Sequence, residues 1–229
     1  DLLLKIAQEN AVAETAFFIN NGKNVDLRWF TPDLEIDLCG HATLAAAHIL
    51  KSILHYPLDE IVFKTLSGVL RVTYQDGLYY LNLPSRAPIS AELPEEIKSA
   101  LNIQPQEVYK ARDYMLVYRN KQEIKDIQIN RQYFDQINLG CGGVIVTAPG
   151  NTYDFVSRYF TPQATILEDP VTGSAHCTLI PFWSTRLSKK NLQTIQLSKR
   201  SGELSCRDNS DRVIVGGQAT TYSSGEFFI

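Results

Sequence analysis

Arg28-Trp29-Phe30-Thr31-Pro32 returns as Arg158-Tyr159-Phe160-Thr161-Pro162, an offset of 130 residues. Downstream of each copy the chain reaches a glycine, in Gly40-His41-Ala42 and in Gly173-Ser174-Ala175, with three residues inserted in the second copy. In both, a strand ending in R-[WY]-F-T-P leads through a short connection to a glycine that opens an apolar helix. Five aligned positions with one conservative change are a modest coincidence alone. The shared order of strand, turn, glycine and helix makes duplication the better account. Two copies related by approximate two-fold symmetry would face two helix N-termini across a common cleft. Each N-terminus offers free backbone N–H groups and a partial positive charge, so a carboxylate is a favoured guest. For the glycines alone, a purely structural duplication with Gly40 and Gly173 as tight turns is the better reading; the polar residues beside them shift the balance.

Outward from the repeat, Thr15–Asn20 is a β-rich run ending at the turn signal Asn20-Asn21-Gly22. Val25–Thr31 alternates as a strand and Glu35–Leu38 continues toward Cys39-Gly40. From His41 to Leu54, Leu44, Ala45, His48 and Ile49 share one face at helical spacing, which predicts a buried helix. Strands are expected over 61–65, 68–75 and 78–83, with Asp76-Gly77 as a hairpin turn, then a proline-bearing linker over 84–94 and a helix over 95–101. The second half follows suit, with strands over 114–118, 143–147 and 153–160 and a helix over 173–187 that Pro181 must kink or restart. Strands over 193–197, 203–206 and 211–215 close it. The chain opens at Asp1 with a short helix over 2–9 already under way and no signal-peptide pattern, so residues upstream are expected to be missing.

Composition removes several function classes. The 229 residues, 44% hydrophobic, suffice for one large or two small domains. Acidic and basic side chains nearly balance (25 against 22), leaving no electrostatic footprint for nucleic acid or an anionic membrane. Lys189-Lys190 and Lys199-Arg200 read as solvated surface, and no apolar run approaches a membrane span. Cys39, Cys141, Cys177 and Cys206 form no CxxC pair and read as reduced thiols of a cytoplasmic protein. No GxGxxG follows a strand, and neither a P-loop nor GxSxG occurs, so no cofactor is expected. Bringing His41 together with His176, Cys39 or Cys177 on a metal lacks HxxxH or CxxC spacing, so no metal is expected either.

The chemistry-bearing residues differ between the halves. Asp37-Leu38-Cys39-Gly40-His41-Ala42-Thr43 marks the first helix mouth, and Glu168-Asp169-Pro170-Val171-Thr172-Gly173-Ser174-Ala175-His176 the second. Glu14 precedes the apolar run AFFI, and a partly desolvated carboxylate there suits proton transfer near neutral pH. Each residue also has a plainer explanation. Glu14 reads as a surface carboxylate, His41 as an exposed cap histidine, and Asp169 before Pro170 as a turn residue or helix cap. His48 reads as a partly buried core histidine, His55 as surface, and Cys177 as a small buried hydrophobe. His176 stays ambiguous.

Together DLCGHATLAAAHIL, LEDPVTGSAHC, AETAFF, RWFTP and RYFTP closely resemble the phenazine-biosynthesis-like (PhzF-like) isomerase family, which shares the diaminopimelate epimerase fold. The resemblance covers nearly the whole chain. It implies an α/β (α+β) architecture of two similar domains, 1–100 and 101–229, each a sheet wrapped around a central helix with the active site between them. The first domain would lack its N-terminal strand, and the last strand would return to the first domain. By motif, Glu14 would be the acid/base, His41 and Asp169 would orient the substrate and share the proton relay, and Gly40, Gly173, Ser174 and Thr172 would hold its carboxylate. No cofactor is implied; a small carboxylate substrate and a homodimer are. Epimerases and racemases of this fold use a thiol from each half. Cys39 fits one such place, whereas the matching place reads as Asp169-Pro170 without a cysteine, which favours isomerisation by Glu14 over racemisation. A non-catalytic carboxylate-binding relative is the remaining alternative.

Overall fold

The computed structural model describes residues 2–226 and 228. The first half runs α1 (Leu2–Asn10), β1 (Thr15–Asn20), β2 (Val25–Phe30), β3 (Glu35–Ile36), α2 (Gly40–Ser52), β4 (Glu60–Thr65), β5 (Gly68–Gln75) and β6 (Leu78–Pro84). Then follow β7 (Ile89–Ser90), α3 (Glu95–Ala100), β8 (Glu107–Lys110), β9 (Tyr114–Val117), α4 (Lys121–Asp126), α5 (Arg131–Phe134), β10 (Val144–Pro149), β11 (Phe155–Phe160), α6 (Gly173–Leu187), β12 (Asn191–Gln196), β13 (Gly202–Asn209) and β14 (Arg212–Gly217). The strands form one 14-stranded sheet in the order β1-β2-β4-β5-β6-β14-β13-β12-β11-β10-β9-β8-β7, with β3 beside β2. Thus β1-β2-β4-β5-β6 is matched by β10-β11-β12-β13-β14, and the two sets join where β6 and β14 pair antiparallel.

A parallel strand pair cannot be closed by a tight turn and needs a crossover, usually a helix. β2 lies parallel to β4 and β11 parallel to β12; α2 and α6 are the two crossovers. α6 touches β12, β13, β14 and β6 and is buried without a break from Gly173 to Ile180. A helix enclosed in this way has no wet face, so its residues are Ala, Cys, Thr, Leu and Ile rather than an amphipathic stripe. The main core draws on both halves, Leu27, Trp29 and Leu81 from one and Trp183, Leu192 and Val213 from the other. A second core, around Leu116, Ile124, Phe134 and Val146, lies on the opposite face of β9 and β10. With both faces covered, Val144–Ala148 is buried at every position instead of alternating.

The duplication extends to single interactions. Arg28 Nε donates to Glu35 Oε1 at 2.8 Å, and Arg158 Nε donates to Glu168 Oε1 at 2.7 Å. Phe30 pairs with Glu35, and Phe160 bridges to Glu168. Each repeat's terminal loop is therefore held in the same way.

Several sequence-based expectations are corrected. Pro181 does not restart the helix; α6 is unbroken. The carbonyl of Cys177, which a proline four residues on cannot serve, instead accepts the backbone N–H of Arg86 at 2.8 Å. α2 begins at Gly40 and ends at Ser52, β11 begins at Phe155, and the strand expected over Glu35–Leu38 keeps only Glu35–Ile36. β8, α4 and α5 were not anticipated. β7, within the expected linker, pairs with β8, and α3 packs on α5. Among the described residues no helix is long and apolar enough to cross a membrane.

Candidate active site

The two helix-opening glycines touch. A Cβ on Gly40 would lie 2.5 Å from Gly173 Cα, and one on Gly173 would lie 2.6 Å from Gly40 Cα. Only residues without a side chain let the two N-termini come this close. Cys39 and Thr172 are the two N-cap residues, and neither side chain caps the backbone N–H groups of its own helix. Neither first turn carries an acid. The N-terminal N–H groups and the positive ends of both helix dipoles are thus left without an internal anion.

Beside this junction lies a cleft of about 390 Å³ lined from both halves, among others by Glu14, Cys39, Gly40 and His41 and by Tyr159, Asp169, Thr172, Gly173 and Ser174. All seven residues singled out by motif line it. A second concavity of about 380 Å³, lined by Glu168, Pro170, Ser198, Lys199 and Arg200, is more open and holds none of them.

Within the cleft, His41 sits between two carboxylates. Its Nε2 is 2.8 Å from Glu14 Oε2, and its Nδ1 is 3.8 Å from Asp169 Oδ1. Nδ1–H donates to the Val171 carbonyl at 2.8 Å. The Nε2–Oε2 separation is an ion-pair distance, but the ring N–H is not aimed along it. Glu14 Oε2 and Asp169 Oδ1 are consequently buried without a hydrogen bond. Cys39 Sγ is 3.8 Å from both ring nitrogens. Burial disfavours the imidazolium, but the negative charge facing it from Cys39 (when ionised), Glu14 and Asp169 outweighs that and holds the His41 pKa well above its ordinary value. Burial raises Asp169 above the usual range, with His41 opposing and Glu14 adding to the rise. Burial also pushes Cys39 up to about 11, so near neutrality it is a thiol.

The loop carrying Asp169 and Thr172 is clamped from below. Gln196, fully buried at the end of β12, accepts from Thr172 N at 2.7 Å and donates to Asp169 O at 2.7 Å and Thr172 Oγ1 at 3.0 Å. Thr172 Oγ1 donates to Asp169 Oδ2. His176 Nδ1 bonds the Thr172 carbonyl at 2.8 Å, as Thr43 Oγ1 bonds that of Cys39 in the other helix. His176 does not reach the cleft; burial lowers its pKa to about 4. Tyr159 lines the far wall, its hydroxyl donating to buried Asp113 at 2.9 Å.

Gln196, Asp113 and Tyr159 were not singled out from the sequence. Tyr159 had a signal, since it belongs to the second repeat. Gln196 and Asp113 had none, because their partners lie at least 24 residues away in the chain. One assignment is corrected: the place opposite Cys39 is Thr172, the other N-cap, and not Asp169-Pro170. It too holds no thiol.

Residues 1–225 match the family described as phenazine biosynthesis-like protein. An uncharacterized isomerase of Pseudomonas aeruginosa is 42% identical over 98% of this chain and 86% of its own. The crystal structure of a PhzF-family phenazine biosynthesis protein of Enterococcus faecalis superposes with a TM-score of 0.92 at 41% identity, covering 100% of this chain and 87% of that one. A probable proline racemase from Agrobacterium radiobacter shares the fold alone, with a TM-score of 0.62 at 8% identity over 94% of this chain and 76% of that one. The chain belongs to the phenazine biosynthesis-like (PhzF) family.

Proposed function

We propose that this protein is a cofactor-free isomerase, working as a homodimer, that shifts a proton on a small carboxylate-bearing substrate in the cleft between two domains. Glu14 takes a proton from a carbon activated by conjugation or by the neighbouring carboxylate, and the proton returns elsewhere on the same molecule. The substrate carboxylate sits on the backbone N–H groups at Gly40 and Gly173 and the Ser174 hydroxyl, with Thr172 closing the turn. Donors fixed in advance where negative charge develops need no reorganisation during the reaction. His41, its Nδ1 held by the Val171 carbonyl, relays the proton, and Asp169 keeps the imidazole charged and oriented. The observation that carries this reading is the 2.8 Å approach of Glu14 to His41 beside the paired glycine N-termini.

A two-thiol epimerase is disfavoured because Thr172 stands opposite Cys39, and a threonine hydroxyl is no base near neutral pH. We draw the domain boundary in the connector over 85–88 rather than near residue 100, since β7 and α3 pack with the second half.

The test is exchange in D2O over a panel of small carboxylates with an acidic carbon, read by NMR. Glu14→Gln should lower deuterium incorporation about 10²- to 10⁴-fold, while carboxylate-induced thermal stabilisation persists. Undiminished exchange in Glu14→Gln would remove its role. Stabilisation without exchange in the unmutated protein would favour a carboxylate-binding protein that does no chemistry.

A further inference from the structure

A thiol, an imidazole and a carboxylate converge on one point of the cleft. Cys39 Sγ, a ring nitrogen of His41 and a carboxylate oxygen of Glu14 all lie within 4.8 Å of one another. Tetrahedral zinc with sulfur at about 2.3 Å and nitrogen or oxygen at about 2.0–2.1 Å puts its ligand atoms roughly 3.5 Å apart. The 3.8 Å from Cys39 Sγ to His41 Nε2 is close to that edge, but Sγ is equally far from Nδ1, so the thiol must swing toward the Nε2 side, and the 2.8 Å from His41 Nε2 to Glu14 Oε2 needs to open by roughly 0.5 Å.

Two independent features point to a cation here. Glu14 Oε2 is buried and accepts no hydrogen bond, its one close partner being His41 Nε2 at 2.8 Å, so its lone pairs remain available to a metal ion. His41 already has the outer-shell support typical of a metal ligand, since Nδ1–H donates to the Val171 carbonyl and leaves Nε2 as the free ligand atom on the Glu14 side of the ring. The donors were not legible as a metal set, because Glu14 stands far from Cys39 and His41 in the chain and no spacing motif links them.

We propose that Glu14, Cys39 and His41 form a site for a thiophilic divalent cation of the zinc class, with its fourth position open to the cleft, and that such a cation inhibits the protein. One sulfur, one nitrogen and one oxygen ligand suit Zn2+ or Co2+ and not the oxygen-seeking Mg2+ or Ca2+. The bound ion would occupy the two side chains assigned to proton transfer and neutralise the charge they present. Binding stands apart from the isomerase reading; only the inhibition rests on it.

Titration of the full chain with Co2+, under a non-chelating reductant, tests the site. A saturable one-to-one complex with a thiolate-to-cobalt charge-transfer absorption is expected. Cys39→Ser should abolish that absorption and weaken Zn2+ binding by roughly 100-fold or more, at least the upper end of what outer-shell changes cost. Cys141→Ser, removing the exposed thiol at the cleft rim, should leave both intact. Absence of saturable binding, survival of the absorption in Cys39→Ser, or its loss in Cys141→Ser would each overturn the proposal. The two readings fail separately: a cobalt complex without deuterium exchange in the metal-free protein retires the isomerase, and exchange without a cobalt complex retires the metal site.

Discussion

At the scale of single residues, the two glycines at the helix junction are under the tightest constraint. In Gly173→Ala the new methyl would meet the backbone of Gly40, which has no rotamer by which to retreat. The helices would have to part, at a cost of about 1–3 kcal/mol by analogy with overpacked cores, and the proposed carboxylate seat would widen with them. Chemical denaturation together with carboxylate thermal shift should record both losses; a variant of full stability that still binds would show that the contact is slack. His176 provides a pH-dependent counterpart. Burial lowers its pKa to about 4, so the fold keeps it neutral while the unfolded chain takes up a proton below about pH 6.5. Its contribution is therefore fully present above pH 6.5 and is lost progressively as pH falls toward 4, by roughly 3 kcal/mol in all. His176→Gln should flatten the fall in stability between pH 6.5 and 4 relative to the unmutated chain. Equal slopes would mean that the ring is solvated or already charged.

At the scale of elements, Pro181 shows what sequence leaves out. An interior proline ordinarily costs a helix about 3 kcal/mol relative to alanine. Here the Cys177 carbonyl is already served by Arg86, a residue brought in by the β6–β7 connector from the other side of the sheet seam. Pro181→Ala should consequently stabilise by clearly less than about 3 kcal/mol, because the restored N–H must compete with Arg86 for one carbonyl. A full gain in urea denaturation would mean that the Arg86 contact contributes nothing. The same distinction explains what was legible elsewhere. β2, β11, α2 and α6 stood out because their patterns are local and occur twice. β8, α4 and α5 are too short for periodicity to register, although Asn120 and Asn130, whose side chains accept from Glu123 N and Gln132 N, did mark both helix starts. Within the cleft, Glu14, His41 and Asp169 could be named because they belong to recognisable motifs. Gln196 could not, since its importance lies in satisfying a loop on another element. Gln196→Glu keeps the acceptor for Thr172 N but loses the donor to Asp169 O. It should reduce activity and cost about 1–3 kcal/mol, and retained activity at full stability would show that the loop holds itself.

At the scale of the whole molecule, the issue is whether two halves with one ancestry still behave as two bodies. The β6–β14 seam carries register from Arg212↔Pro84 to Gly217↔Tyr79, reinforced by Arg212 donating to both Asn82 Oδ1 at 2.6 Å and Asn82 O at 2.8 Å. Asp33 closes the cleft rim across the halves by accepting from Thr165 N at 3.0 Å and Oγ1 at 2.7 Å. One hydrophobic cluster contains both Trp29 of the first half and Trp183 of the second. Unfolding either half would expose the other's core surface, so a single cooperative transition is expected. The chain's two tryptophans make this measurable, one buried reporter per half. Trp29→Phe and Trp183→Phe variants, each followed through its remaining indole, should show a fluorescence midpoint coincident with the variant's own far-UV circular dichroism. Leu81→Ala, buried in the seam strand β6, should destabilise by about 2–5 kcal/mol and shift both indole signals equally. If the Trp29 signal moved while the Trp183 signal stayed, the halves would unfold separately, and a cleft built from both would need its ligand to hold it closed.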